Sequence, residues 1–303
     1  MGARARIAVI GAGLMGHGIA QVFAQHGHSV RVFDPAPAML DTLLERIRAN
    51  LRDLDQDAAA VKRVIPTAAL AEAVRDADLV VEAGPENLPT KQQLFKDIEA
   101  AAPRDAILAS NTSVIPITRI MAKLEHKSRG LGTHWWNPPY LVPLVEVIRT
   151  EWTDPAVIDR TSELLGGAGK TPVTVHKDVA GFVGNRLQHA LWREAIALVQ
   201  NGVCDAATVD TVVKASFGRR LAVLGPLENA DLVGTDLTLA IHETVLPDID
   251  ATRGPLPYLR QLVESGRLGM KSGEGFRRWT PEAQQALRRR VLEHLRALIE
   301  QGI

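Results

Sequence analysis

The sequence has one cysteine, Cys204, so it can form neither an intrachain disulfide nor a cysteine-based zinc site, and a reducing cytoplasm is the expected compartment. It has no net charge either. Lys+Arg 35 balance Asp+Glu 35, and no run of like charge exceeds the triplet Arg288, Arg289, Arg290. Such a surface lacks the cationic footprint that displaces counterions from phosphates, which argues against nucleic acid and anionic membrane as partners. Aromatics are few, two Tyr and six Phe beside five Trp, so the core of this 303-residue chain must be aliphatic and alanine-rich. An uninterrupted hydrophobic span is also missing. Ile7 to Val30 holds no Asp, Glu, Lys or Arg, but Gly11, Gly13, Gly16 and Gly18 break it and His17, Gln21 and Gln25 are interleaved. The stretch therefore reads neither as a signal peptide nor as a membrane helix.

What is present is an alternation of short aliphatic runs with helical segments. The runs are Arg6 to Ile10, Ser29 to Phe33, Asp78 to Glu82, Ala106 to Ala109, Leu144 to Ile148 and Pro172 to His176. Strands apolar on both sides belong in a parallel sheet with helices on both faces, which predicts a Rossmann-type, doubly wound α/β domain. After Gly181 the apolar residues fall at helical spacing, as in Leu187, Leu191, Ala195 and Leu198, and no strand run returns. Helices are expected near Asp205 to Phe217, Glu228 to Leu246, Leu256 to Glu264 and Pro281 to Gln301, the last with Thr280 as N-cap and Pro281 at its first position. The division expected is a Rossmann domain over 1–180 and an all-helical domain over 181–303.

Gly11, Gly13 and Gly16, with Ala12, Leu14 and Met15 between them, satisfy G-x-G-x-x-G at the junction of a strand and a helix. There Gly11 allows the tight turn, Gly13 lets a pyrophosphate approach the backbone, and Gly16 lets helix and strand pack closely. Asp34 ends the second strand run, where a carboxylate accepts from ribose hydroxyls and repels a ribose phosphate, so NAD is expected over NADP. Arg31 lies in the same strand, but alternation points it away from Asp34. His17 follows the fingerprint directly, and the sequence leaves it either near the pyrophosphate or exposed on the first helical turn.

His134 and Glu146 are candidates for proton chemistry. Oxidising a secondary alcohol needs a base for the hydroxyl proton as hydride leaves, and imidazole suits that task. Asn137, Pro138 and Pro139 force an irregular turn after His134, and Glu146 lies within the apolar run Leu144-Val145-Glu146-Val147-Ile148. A carboxylate there is costly to bury without a partner, which His134 can supply. The residues alone equally allow a hydrogen-bonded core histidine and an unrelated edge-strand glutamate. No other histidine shows metal-ligand spacing, and no metal is expected.

Beyond the fingerprint, the chain resembles the 3-hydroxyacyl-CoA dehydrogenase family over nearly its whole length. The likeness is carried by Gly11 to Ala20, Glu86-Asn87 with Lys91, Ser110-Asn111-Thr112-Ser113, His134 to Pro139, Leu144 to Ile148, Gly181 to Arg186, Gly225-Pro226 and Gly269 to Gly273. The resemblance implies a Rossmann domain, a helical domain that dimerises, and His134 with Glu146 as the catalytic pair. It implies that Ser113 and Asn185 bind the substrate oxygen and orient His134, with Asn137 as another active-site amide. Glu86, Lys91 and Asn111 match positions that contact the nicotinamide half of NAD. Each also has a plainer reading: Ser113 as a helix cap, Asn185 as an exposed helical residue, Glu86 with Lys91 as a solvated pair.

The sequence departs from the fatty-acid enzymes of the family in one region. They carry a long lysine-rich arm after the second strand that helps hold CoA, whereas here the stretch from Asp34 to Glu82 is short and its Arg46, Arg48, Arg52, Lys62 and Arg63 are offset by Asp41, Glu45, Asp53, Asp55 and Asp57. This resembles relatives that act on small free acids, among them gulonate, carnitine and pyridine-carboxylate dehydrogenases. Trp135-Trp136 points either to a reshaped pocket or to core packing. Three readings follow: NAD-dependent oxidation of an L-3-hydroxyacyl-CoA, placed first as the family's commonest activity and belonging to fatty-acid metabolism; the same chemistry on a CoA-free hydroxy acid; or a catalytically idle NAD-binding or structural protein. A homodimer through the helical domain is expected.

Overall fold

The computed structural model describes residues 4–301. Its first compact unit runs to Arg186 and holds one eight-stranded sheet. In chain order the elements are β1 (Arg6–Ile10), α1 (Leu14–Gln25), β2 (Ser29–Phe33), α2 (Pro37–Asp41), α3 (Leu43–Asp53), β3 (Val64–Thr67), α4 (Leu70–Val74), β4 (Leu79–Glu82), α5 (Leu88–Ala101), β5 (Ile107–Ser110), α6 (Ile117–Met121), β6 (Gly130–Trp135), β7 (Leu144–Ile148), α7 (Pro155–Gly167) and β8 (Thr171–Val175). The strand order is β3-β2-β1-β4-β5-β6-β7-β8. Every pairing is parallel except β6 with β7.

The sheet is covered on both faces, as its continuous apolar strands require. Ile7 and Val9 of β1 enter one core with Val30, Val32 and Phe23, while Ala8 and Ile10 enter the other with Val80, Leu108 and Phe95. The helices dock by stripes. Leu43, Ile47 and Leu51 are the buried residues of α3, and Lys91, Phe95 and Ile98 those of α5. A side chain such as Phe95, with no exposed surface, contributes about 1.5–3 kcal/mol by leaving water.

The sheet is wider than the six runs predict. Strand β3 contains Pro66 and ends the sheet, where a proline without an amide costs no central hydrogen bond. Strand β6, Gly-Leu-Gly-Thr-His-Trp, shows no aliphatic run although all six residues are buried. Its Gly132 is required by packing, since a Cβ there would sit 2.5 Å from Ile117 Cδ1. At the other edge β8 is largely exposed.

The two units divide between Arg186 and Leu187, within helix α8 (Gly184–Gln200); Gly181, where the sequence places the boundary, has φ 76 and lies just before that helix. The second unit continues with α9 (Ala206–Ala215), α10 (Pro226–Val233), α11 (Thr235–Val245), α12 (Pro257–Glu264) and α13 (Pro281–Glu300). Asp205 caps α9 by accepting from the Thr208 amide, and Thr280 caps α13 by accepting from Ala283. The single helix expected over Glu228 to Leu246 is two, because Gly234 adopts φ 104, a conformation a helix cannot pass through. Helices α9, α10, α11 and α13 bury no residue within the chain. Among the described residues no helix is long and apolar enough to cross a membrane.

Candidate active site

The carboxyl ends of the parallel strands gather the candidate residues. At the β1–α1 turn Gly11 has φ 109, and a Cβ on it would meet Ala83 O at 2.7 Å. A Cβ on Gly16 would lie 1.7 Å from Gly11 O, so helix and turn touch through bare backbone. Above Gly13 nothing lies within 4 Å of a Cβ position, and no side chain caps the helix there. Bare amides at an uncapped helix start facing open space fit a pyrophosphate. Leu14 is 67% exposed at this mouth, and Met15 reaches the neighbouring cavity. His17 is buried, contrary to an exposed first turn, and donates Nδ1–H to Gly13 O at 2.8 Å.

Asp34 stands at the end of β2 and accepts from the amides of Ala12 at 2.8 Å and Ala36 at 2.9 Å. Its carboxylate is thereby fixed beside the glycine turn. Arg31 points away, as alternation requires, and pairs with Asp76 at 2.9 Å.

A cavity of about 310 Å³ is lined by Met15, Glu86, Asn111, Ser113, His134 and Asn137, with Trp136 and Asn185. The antiparallel pairing sets His134 opposite Glu146, and His134 Nδ1 donates to Glu146 Oε2 at 2.7 Å. Glu146 Oε1 accepts from the amides of Val183 at 2.9 Å and Gly184 at 3.1 Å. Burial works to raise the Glu146 carboxyl, but the His134 hydrogen bond and these two amides outweigh it and hold the group below its ordinary range. With Nδ1 committed as donor, Nε2 is the acceptor of a neutral His134. Phe182 and Trp136 flank the imidazole at 5.5 and 5.3 Å between ring centroids.

The other members are fixed through backbone contacts. Asn185 Nδ2 donates to Ser113 O at 2.9 Å, and Asn111 Oδ1 accepts from the Trp135 amide at 2.9 Å. Glu86 takes the Thr112 hydroxyl at 2.8 Å and the Ser113 amide. Ser113 is therefore the point where the Glu86 and Asn185 segments meet.

Lys91 is not the solvated partner of a helix-start pair but a buried residue. Its side chain is 1% exposed, and its ammonium donates to both oxygens of Glu82 at 2.7 and 2.9 Å and to Gly84 O at 3.3 Å. It lies 3.7 Å from Glu86, beneath the cavity wall. Glu82, which also accepts from Ser110 Oγ at 2.7 Å and from the Gly84 amide, is absent from the sequence candidates. It closes an apolar strand as Glu146 interrupts one, so the same desolvation argument marks it. Lys170 is also new: its ammonium donates to Pro139 O and Val142 O below Trp135, tethering the turn after Asn137, and burial pushes it down to about 8.

The chain is similar to known proteins over most of its length. A family model described as the 3-hydroxyacyl-CoA dehydrogenase NAD binding domain matches residues 6–179, and the C-terminal domain of the same family matches residues 181–279. The 5-formyl-3-hydroxy-2-methylpyridine 4-carboxylate 5-dehydrogenase of Mesorhizobium japonicum is 37% identical over 306 residues, covering 97% of this chain and 98% of that protein. A probable 3-hydroxybutyryl-CoA dehydrogenase of Bacillus subtilis is 38% identical over 279 residues, covering 89% and 96%. The crystal structure of a 5-formyl-3-hydroxy-2-methylpyridine 4-carboxylic acid 5-dehydrogenase, described as an NAD+ dependent dismutase, superposes with a TM-score of 0.91 at 35% identity, covering 98% of this chain and 97% of that one.

Proposed function

The chain belongs to the 3-hydroxyacyl-CoA dehydrogenase family and is an NAD-dependent dehydrogenase acting on a CH–OH group, and from that premise we propose that His134 is its proton acceptor and that its substrate is a small, CoA-free carboxylate. Bound NAD supplies the acceptor for the hydride that leaves the alcohol carbon. His134 Nε2 takes the hydroxyl proton, and the Glu146 carboxylate balances the imidazolium that forms. Ser113, Asn137 and Asn185 hold the substrate oxygen near Nε2. In the cofactor cradle Gly11, Gly13, Leu14, Met15 and Gly16 present backbone to the pyrophosphate and Asp34 takes the adenosine ribose, while Glu86 and Asn111 border the nicotinamide and Lys91 fixes Glu82 and the Gly84 backbone beneath them. Exposed Leu227, Leu232 and Leu239 on otherwise unburied helices favour a homodimer through the helical unit, and a lone free Cys204 fits a cytoplasmic setting.

The observation that carries the CoA-free reading is the state of the arginines between β2 and β4. Arg48 and Arg52 face Glu45 at 3.7 and 2.9 Å, and Arg63 donates to Ala24 O. Cations so engaged offer little to the phosphates of a CoA. Likeness to the pyridine-carboxylate enzyme over 97% of the chain supports the same choice. The CoA thioester that the sequence places first is favoured by the family models and by relatives such as the Bacillus subtilis protein at 38% identity. NADH absorbance with 3-hydroxybutyryl-CoA beside free hydroxy acids and hydroxypyridine carboxylates decides between them. A kcat/KM of roughly 10⁴ M⁻¹s⁻¹ or more confined to free acids is expected, and the same value for the thioester would reverse the choice.

A further inference from the structure

Ala12, the residue between the first two glycines of the fingerprint, is held at both ends. Its amide donates to Asp34 Oδ2 at 2.8 Å, and its carbonyl accepts from Arg46 Nη2 at 2.8 Å. The same Nη2 donates to Met39 O at 2.8 Å, so the guanidinium bridges the glycine turn and helix α2. Among the described residues Arg46 is part of no direct ion pair. The nearby Asp34 spends both oxygens on backbone amides instead, and Arg46 Nε is buried with no partner. A half-buried arginine that binds only carbonyls retains its full charge beside the adenosine-ribose corner, and burial alone would disfavour that charge without the Asp34 carboxylate.

We infer that Arg46 is a second determinant of cofactor choice, a cation that favours a ribose phosphomonoester and whose effect the Asp34 carboxylate cancels. With Asp34 in place, the corner is close to neutral, both ribose hydroxyls are wanted and a 2′-phosphate meets a carboxylate. Without Asp34 the same corner is cationic, with a planar guanidinium already anchored and little entropy left to lose on meeting a phosphate. Arg31 cannot take this part, because Asp76 holds it on the other side of the strand. The inference rests on the reading of Asp34 as the ribose ligand, and the two can fail separately.

Fluorescence titration of the whole chain with NADH and NADPH at fixed ionic strength tests it through binding alone. Asp34→Ser is expected to weaken NADH and tighten NADPH, bringing the two Kd values within roughly tenfold of each other. Adding Arg46→Gln should reopen the gap by about tenfold against NADPH, whereas adding Arg46→Lys, which keeps the charge, should reopen it much less. Any loosening of the glycine turn weakens both nucleotides and cancels in the ratio. If Asp34→Ser leaves both affinities unchanged, the ribose assignment fails. If Asp34→Ser admits NADPH and the Arg46→Gln addition leaves the ratio within twofold, the ribose assignment stands and the role of Arg46 is overturned. As a second measure, Arg46→Gln in the otherwise unaltered chain should widen the NADH preference, and an unchanged ratio there would also count against it.

Discussion

His134 and Glu146 stand directly opposite one another in the antiparallel β6–β7 pair, and their 2.7 Å hydrogen bond is a product of strand register. Opposed residues in such a pair share a face, so no loop has to deliver either group. The two helix-start amides on the far oxygen of Glu146 then fix the carboxylate rotamer.

Replacing His134 with Ala should lower kcat by roughly a hundredfold or more while the NADH Kd changes little, because the imidazole contacts Glu146 and the cavity but not the glycine turn. Steady-state kinetics with a parallel NADH titration measures both. A near-normal kcat would remove His134 from the reaction.

The depressed carboxyl of Glu146 makes stability depend on acid. A folded-state value below the unfolded one gives a contribution that is complete above the ordinary carboxylate range and is lost as pH falls through the folded value. Tm followed from about pH 7 to about pH 3 should therefore fall less steeply in Glu146→Gln than in the parent. Parallel profiles would mean that this carboxylate is not preferentially ionised in the fold.

Lys91 and Glu82 are a buried pair, and removing one partner strands the other. Lys91→Met is expected to cost about 3–5 kcal/mol in urea unfolding. The double change Lys91→Met with Glu82→Gln should recover part of that loss. A loss below about 1 kcal/mol in the single variant would show that water reaches the carboxylate.

Gly16→Ala places a methyl 1.7 Å from Gly11 O, a clash that helix α1 can relieve only by moving off the turn. NADH affinity should drop roughly tenfold or more with the far-ultraviolet circular dichroism of the sheet retained. Unaltered affinity would place the pyrophosphate elsewhere.

Light scattering at micromolar concentration should give twice the 32.9 kDa chain mass. Substituting Leu232, 74% exposed on α10, with Glu should shift the equilibrium toward the single chain. A monomeric parent would leave that apolar face to another partner.

Most of the parallel sheet was legible because its strands are aliphatic on both sides, a signal that survives without an alignment. Strand β6 was not, because two of its buried positions are glycines, Gly132 packed under Ile117 and Gly130 against Met121, where an aliphatic run would have branched side chains. Strand β3 was hidden by Pro66, which only an edge position tolerates. In the site, Glu146 could be read from the cost of a charge in an apolar strand. Glu82 carried the same mark, yet its partner is a lysine nine residues on, in a helix whose surroundings look solvated in the sequence. Arg46 had no local signature at all, since its partners are two backbone carbonyls supplied by the fold.

The reversal of β7 has one more consequence. A slip of one residue along that strand would swap Glu146 for Val145 or Val147 and turn the carboxylate to the opposite side of the sheet, so the proton chemistry is a matter of parity and tolerates no gradual drift. The hairpin between the two strands, from Trp136 to Pro143, is held by side-chain contacts instead of by register, Trp136 against the imidazole and Lys170 on the Pro139 and Val142 carbonyls. Lengthening or reshaping that hairpin would alter what enters the cavity. The acid–base pair is thus fixed by strand parity, whereas the shape of the cavity beside it is set by the first hairpin residues, Trp136 and Asn137.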